Sequence, residues 1–231
     1  MTDIFFKNIN KIIELENDPY IFNLFSQIEI KKILEFYNDL PTAVFNKNQN
    51  IIKKHWLVGH NLELDNMIIK KINKILTNWE FDNMFSKDNA IGIFHESINP
   101  LKLHADTGKN SDAIIYKQML IPLSNIGETL LFEPRWRNES SSFTIDKNEI
   151  KNNYGYNKRT NEHLGTKEFD KKVYKKYLPH EDYENLKGLQ VKKIYNWKIG
   201  EAFVFDRTFI HCSSTLVQPK IGLTLFFNYK N

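Results

Sequence analysis

Hydrophobic residues follow two different spacings along this chain. In the first part, apolar side chains recur every three or four positions over residues 9–15, 30–37 and 64–76, which is the spacing of one helix face. Between the second and third of these stretches, residues 51–58 have the composition of a β-strand. We therefore predict a mainly helical packing region over residues 1–89, with one strand inside it.

The second helical stretch also carries boundary signals. Ser26 and Glu29 have the spacing of a capping box, in which each side chain accepts a hydrogen bond from the backbone of the other residue. Pro41 cannot continue a helix. We therefore expect this helix to begin after Ser26 and to end before Pro41.

From Ala90 onward the pattern changes to short strands separated by turns rich in Asn, Gly, Pro and Ser. Many short strands of this kind indicate a sandwich or a double-sheet jelly roll. The predicted strands cover residues 90–95, 101–106, 114–123, 128–132, 190–195, 201–206 and 220–228.

The strand pattern is interrupted between residues 133 and 189. This insert contains two short helical patterns, at 167–177 and 180–186, together with several aromatic and basic residues. A long insert in a compact domain is usually functional or disordered, and the aromatic content favours function. We predict an α+β fold in one domain over 1–231, with a jelly-roll core at 90–132 and 190–229 and N-terminal packing helices.

Composition narrows the class of protein. The 231 residues are 41% hydrophobic and 26% charged, which is ordinary for a soluble globular protein. The net charge of +4 comes mainly from scattered lysines, so an anionic partner such as nucleic acid is allowed but not indicated. A single cysteine, Cys212, excludes an intramolecular disulfide. Because we find neither a signal-peptide pattern nor an apolar run of about eighteen residues, we predict a cytoplasmic protein without a membrane span.

The strongest chemical signal is His104-Ala105-Asp106, at the end of an alternating apolar run. Side chains two positions apart leave the same face of a strand, so this imidazole and carboxylate can converge on one metal ion. His211 follows a later strand-like run, 201–206, and would complete the site. Two imidazoles and one carboxylate on one side of a metal are typical of non-haem Fe(II) oxygenases. The alternatives are a turn motif for the first pair and a hydrogen-bonded core histidine for His211.

Three local patterns, taken together, resemble a known family. They are His104-Ala-Asp106, Leu123-Ser-Asn-Ile-Gly-Glu-Thr129-Leu-Leu-Phe132, and Gly200-Glu-Ala-Phe-Val-Phe-Asp206 followed by His211 and Lys220-Ile-Gly-Leu-Thr224-Leu-Phe-Phe227. This combination resembles the Fe(II)- and 2-oxoglutarate-dependent dioxygenases, most closely the prolyl 4-hydroxylase-like and phytanoyl-CoA hydroxylase-like branches. The resemblance covers about residues 90–132 and 190–229.

The resemblance implies a set of site residues. His104, Asp106 and His211 would bind Fe(II), and Lys220 would pair with the distal carboxylate of 2-oxoglutarate. Thr224 would add a hydroxyl near that carboxylate, and Gly222 would leave room for it. Gln118 would replace a tyrosine of the relatives, where this chain has Pro122. Two alternatives remain, namely that Lys220 faces solvent at a strand start and that Gln118 is satisfied by the backbone.

The resemblance also implies the reaction. With O2, such an enzyme couples decarboxylation of 2-oxoglutarate to succinate and CO2 with hydroxylation of a C–H bond. The substrate would be a small molecule or a macromolecular side chain, selected by Arg135, Trp136, Arg137, Tyr154 and Tyr156 of the insert. Two alternatives remain, a cupin-like metal oxygenase that does not use 2-oxoglutarate and a non-catalytic jelly-roll binding protein.

Overall fold

A computed structural model describes residues 19–46, 51–82, 90–108, 115–144, 157–159 and 165–230. Over these ranges the chain forms three α-helices and one 3₁₀-helix: α1 (Gln27–Asp39), α2 (Leu62–Ile72), α3 (Lys171–Tyr177) and the 3₁₀-helix Tyr183–Leu186. None of these helices has the length and hydrophobicity that crossing a membrane requires.

The same ranges contain fourteen β-strands. They are β1 (Tyr20–Asn23), β2 (Val44–Asn46), β3 (Ile51–Leu57), β4 (Trp79–Phe81), β5 (Ala90–Ser97), β6 (His104–Ala105), β7 (Ile115–Pro122), β8 (Glu128–Glu133), β9 (Ser141–Phe143), β10 (Asn157–Arg159), β11 (Gln190–Asn196), β12 (Glu201–Asp206), β13 (Ile210–Ser213) and β14 (Lys220–Tyr229).

These strands form two sheets. The larger sheet has the order β1-β12-β7-β14-β5-β3-β2, with β4 added beside β14, and the smaller has the order β10-β9-β6-β13-β8-β11. All pairs are antiparallel except β9 with β10. Two antiparallel sheets of this kind make a double-sheet jelly roll, which is the predicted core.

The N-terminal region is mixed rather than mainly helical in its described residues, because it contributes four strands as well as α1 and α2. The capping box of α1 is present: the Glu29 amide donates to Ser26 Oγ, and the Ser26 amide donates to Glu29 Oε2 at 2.7 Å.

The third predicted helix ends early, at Ile72. Trp79 instead begins β4, where its ring packs edge-on against Phe227 at 5.2 Å. The stretch 9–15 lies outside the described residues.

Both N-terminal helices cover the outer face of the larger sheet. The buried residues of α1 and α2, among them Ile33 and Ile68, join one apolar cluster with strand residues such as Phe94 and Met119. Trp56 stacks on Phe94 within this cluster at 5.8 Å. Because neighbouring residues on a strand face opposite sides, the alternate positions of the same strands point into the molecule.

The described part of the insert covers the outer face of the smaller sheet. Apolar insert residues such as Trp136, Phe169 and Leu186 form a second cluster with Leu130, Phe132 and Ile210 of β8 and β13. The two predicted helices are shorter than expected, since α3 begins only at Lys171 and the 3₁₀-helix only at Tyr183. The space between the two covered sheets holds the candidate site.

The insert residues expected to select a substrate do not share one location. The Trp136 ring is buried, and its Nε1 donates to the Glu139 carbonyl. The Arg135 guanidinium lies over the Phe209 ring at 3.4 Å and pairs with Glu133 at 3.0 Å. Arg137 is exposed, whereas Tyr154 and Tyr156 lie outside the described residues. Trp136 therefore packs against the smaller sheet, and Arg135 packs on the Phe209 ring.

Candidate metal centre

The two histidines of the candidate centre lie on neighbouring strands. His211 on β13 is directly opposite His104 on β6, and Asp106 follows β6 by one residue. The Nε2 atoms of His104 and His211 each lie 3.5 Å from Oδ2 of Asp106. One potential ligand atom from each residue lies within 4.8 Å of the others. Strand register therefore brings together residues that are about a hundred positions apart in sequence.

Both imidazoles are oriented by backbone carbonyls. Nδ1 of His104 is 2.6 Å from the Lys102 carbonyl oxygen, and Nδ1 of His211 is 3.0 Å from that of Phe209. A carbonyl can only accept, so in the neutral imidazole the proton lies on Nδ1 and the lone pair on Nε2. Metal-binding histidines are commonly held in this way. The two Nε2 atoms thus face the carboxylate with their ligand lone pairs.

The electrostatics of the cluster suit a cation. Burial alone would raise the pKa of Asp106, but His104 and His211 hold that pKa well below its usual range. Burial lowers the pKa of His211, and neighbouring His104 lowers it further. The carboxylate is therefore ionised, and although burial acts to lower the pKa of His104, the charge of Asp106 raises it. This donor set matches the two-histidine, one-carboxylate arrangement that leaves coordination sites open on iron(II).

Two further residues hold the segment that carries the ligands. The fully buried Arg207 donates from Nε to the Asp106 carbonyl at 2.8 Å, and its Nη1 atom pairs with Asp82 at 2.7 Å. Glu181 of the insert accepts from the Leu103 amide at 2.9 Å. Sequence reasoning missed both residues. The only signal for Arg207 was a charged side chain directly after a strongly apolar strand.

A cavity of about 120 Å³ opens beside the three residues, between the sheets. From the larger sheet, Lys53, His95, Gln118 and Thr224 provide polar groups to its wall. The apolar part of the wall includes Leu120, Phe205 and Phe226. Of the described insert residues, only Ser142 reaches the cavity. The described wall thus comes mainly from the two sheets.

Lys220 is buried but does not line this cavity. Its Nζ has no hydrogen-bond partner within the described ranges, and it lies 4.1 Å from the centre of the Trp197 ring. Burial lowers the pKa of Lys220 to about 7. Trp197 does line the cavity, and its Nε1 donates to Thr129 Oγ1 at 2.9 Å. The alternative of a solvent-facing Lys220 is therefore wrong, because the side chain is wholly enclosed.

Thr224 and Gln118 both reach the cavity wall. The Thr224 hydroxyl lies 3.4 Å from Nδ1 of His95. Oε1 of Gln118 has no hydrogen-bond partner in the part of the chain that the structure describes. Gly222 was expected to leave room for the co-substrate. A Cβ at this position would instead lie 2.6 Å from the Trp197 ring. Its missing side chain makes room for Trp197 rather than for a ligand.

No protein-family model and no curated protein sequence matches this chain. Solved structures do match. One is an oxidoreductase of the 2OG-Fe(II) oxygenase family from Burkholderia pseudomallei, which is 10% identical to this chain and superposes with a TM-score of 0.53. The match covers 92% of this chain and 85% of the Burkholderia chain. The chain has the fold of the 2OG-Fe(II) oxygenases. This confirms the predicted jelly-roll core and, as a likeness of fold, the resemblance drawn from the sequence.

Two prolyl hydroxylases share this oxygenase fold. The viral collagen prolyl hydroxylase of Paramecium bursaria Chlorella virus-1, solved with 2OG, is 11% identical with a TM-score of 0.51, covering 94% of this chain and 99% of its own. A Trichoplax adhaerens prolyl hydroxylase, solved with a hypoxia inducible factor peptide fragment, is 10% identical with a TM-score of 0.50. The match covers 99% of this chain and 94% of the Trichoplax chain.

Proposed function

We propose that this protein is an Fe(II)- and 2-oxoglutarate-dependent oxygenase that hydroxylates a C–H bond and releases succinate and CO2. The observation that carries the proposal is the cluster of His104, Asp106 and His211 on the inside of an oxygenase fold, with both Nε2 lone pairs facing the carboxylate. A hydroxyl-rich or carboxylate-rich cluster would instead favour Mg²⁺ or Ca²⁺.

The side chains around the cluster suit such a reaction. The three ligands would occupy one side of iron(II), and the metal with 2-oxoglutarate would supply the activation of O2. The apolar walls formed by Leu120, Phe205 and Phe226 would exclude water from the reacting C–H bond. The carbonyls of Lys102 and Phe209 would hold the imidazoles in place through Nδ1.

The enclosed ammonium of Lys220 supports a dicarboxylate co-substrate. An unpaired buried ammonium is costly, which is why burial lowers the pKa of Lys220 to about 7, and an incoming carboxylate would stabilise its charged form. The distal carboxylate of 2-oxoglutarate would be that partner, with Thr224 and the amide nitrogen of Gln118 as further donors from the wall. Because Trp197 lies over Lys220, we expect this ring to shift when the co-substrate binds.

The proposal is tested by anaerobic titration of 2-oxoglutarate into Fe(II)-loaded protein, followed by assay of succinate after air is admitted. We expect saturable binding that requires iron, and slow succinate release even without the prime substrate. Iron binding without any 2-oxoglutarate binding would contradict the proposal.

That contrary result would favour a metal-dependent oxygenase that does not use 2-oxoglutarate. One observation favours this second candidate, namely that Trp197 rather than Lys220 lines the cavity. Under this second function, Lys220 and Trp197 are a structural cation–π pair. Replacing Lys220 would then leave turnover unchanged.

A further inference from the structure

A second lysine, Lys53, enters the cavity from the larger sheet. It lies on β3 directly opposite His95 of β5, and His95 is in turn opposite Gly222 of β14. Lys53 lines the cavity, whereas neighbouring Lys54 points to the other face and donates to the Tyr37 carbonyl at 2.8 Å. Among the described residues, the Lys53 ammonium has no hydrogen bond and no ion pair. It is therefore a cation without a bound partner at the site.

The groups around Lys53 do not neutralise its charge. Burial, together with the charges of Lys220 and Lys53, lowers the pKa of His95 to about 3, so this imidazole is neutral. Burial lowers the pKa of Lys53, and Asp106, which belongs to the candidate metal centre, opposes this shift. Glu128, and not Asp106, is the carboxylate that acts on Lys220, so a metal bound to Asp106 would leave Lys53 without a counter-charge. Such an imbalance favours binding of an anion.

The co-substrate does not remove this imbalance. Iron(II) and the 2-oxoglutarate dianion carry equal and opposite charges, so binding both leaves the net charge of the site unchanged. One carboxylate of 2-oxoglutarate would bind the metal and the other would pair with Lys220. Lys53 would still lack a partner when both are in place.

We propose that Lys53 binds a carboxylate of the prime substrate, so that this protein acts on a small carboxylic acid or on a carboxylate-bearing side chain. The proposal rests on the proposed function, because it concerns the third molecule of the same site. A carboxylate suits the position since one ammonium balances one negative charge, whereas a phosphate dianion would exceed it. Ile51, on the same face of β3, and Ile93 of β5 give the adjoining wall an apolar surface for the rest of the substrate.

The test uses zinc in place of iron, because Zn²⁺ has no redox chemistry. Zn²⁺- and 2-oxoglutarate-loaded protein labelled with ¹⁵N is titrated with propionate, and separately with propionamide, which has nearly the same shape without the charge. We expect propionate to shift the amide signals of residues 51–57 and propionamide to leave them unchanged. Methyl phosphate should bind more weakly than propionate.

Three variants test whether the Lys53 side chain is the group that binds propionate. Lys53→Met should weaken propionate binding by about tenfold or more, which is the typical worth of a charge-assisted hydrogen bond. Lys53→Arg should restore part of it, because the charge is kept. Lys54→Met is the matched control, since it removes one positive charge from the same strand but from the opposite face. It should bind propionate like the wild type.

Other outcomes are equally decisive. Equal binding of propionate and propionamide, equal affinities of wild type and Lys53→Met, or no propionate binding at all would overturn the assignment of Lys53. Tighter binding of methyl phosphate would overturn the assignment to a carboxylate. If the Fe(II)-loaded protein does not bind 2-oxoglutarate, the proposed function fails, and propionate titration of the zinc-loaded protein alone still tests Lys53.

Discussion

The two sheets differ in how completely their inward polar groups are satisfied. On the smaller sheet, the Nδ1 atoms of His104 and His211 face backbone carbonyls, and the carboxylate of Asp106 lies between the two Nε2 atoms. On the larger sheet, Lys220 Nζ and Gln118 Oε1 have no partner within the described ranges. The inward polar groups of the smaller sheet are therefore already paired within the protein, whereas two of those on the larger sheet are not.

This difference fits two separate functions, binding a metal ion and binding an exchangeable organic molecule. A metal centre needs ligands held rigidly, so its hydrogen bonds are made by the protein itself. A site for an exchangeable organic molecule needs groups that are free to bind it, even though an unpaired buried group costs stability. We therefore expect substitutions on the smaller sheet to affect metal binding and those on the larger sheet to affect ligand affinity.

The largest effect should follow from removing a ligand on the smaller sheet. Asp106→Ala leaves two imidazoles, which bind iron(II) too weakly to support turnover. We expect iron binding by the purified protein, measured by anaerobic titration, to fall to the level of non-specific binding. His60→Ala, which removes an exposed histidine, is the control and should bind iron like the wild type. Near wild-type iron affinity in Asp106→Ala would show that the metal is held elsewhere.

The next effect should come from the larger sheet. Lys220→Ala leaves the distal carboxylate of 2-oxoglutarate buried without a partner, a loss of roughly 3–5 kcal/mol, or about a hundredfold or more in affinity. Iron affinity should barely change, and Lys220→Arg should retain part of the co-substrate affinity. Titration of 2-oxoglutarate into anaerobic Fe(II) protein measures both variants. Equal affinities for wild type and Lys220→Ala would remove the functional contrast between the sheets.

A smaller effect should separate positioning from stability at Arg207. Arg207→Lys loses the planar donor to the Asp106 carbonyl, and we expect iron affinity to fall by about tenfold to a hundredfold. Asp82→Asn is the matched control, because it weakens the ion pair with Arg207 but leaves the bond to Asp106 in place. It should lower stability with little change in iron affinity. If both variants lose iron affinity in proportion to stability, Arg207 has only a structural role.

A last effect should be a pH dependence of stability. Burial lowers the pKa of Lys220 from 10.5 to about 7, so the unfolded chain binds more protons between these values. Stability of the metal-free protein should therefore rise with pH from about 7 towards 10.5, by on the order of a few kcal/mol at most. Urea unfolding of wild type and Lys220→Met at both ends of this window measures the effect. The variant should lack the rise, and an equal rise in both would assign it to other groups.

The sequence by itself determined the local features of this protein. Capping of α1 by Ser26 and Glu29, the strand pattern after residue 90, and the pairing of His104 with Asp106 all depend on neighbours within a few positions. The strand that carries His211, β13, was not among the predicted strands, so its register opposite His104 was set by the tertiary structure.

Only the tertiary structure decided which side chains share the cavity. Lys53, Trp197 and Arg207 reach the site or its support through strand order and packing across the molecule. The third helical pattern, over residues 64–76, ends at Ile72 in the structure, and the chain then pairs with β14 from Trp79 onward, a long-range contact that local propensity does not predict. In the insert, Trp136 packs against the smaller sheet and Arg135 packs over the Phe209 ring, because burying apolar surface lowers the free energy. Long-range contacts of this kind leave no periodic signal in a single sequence.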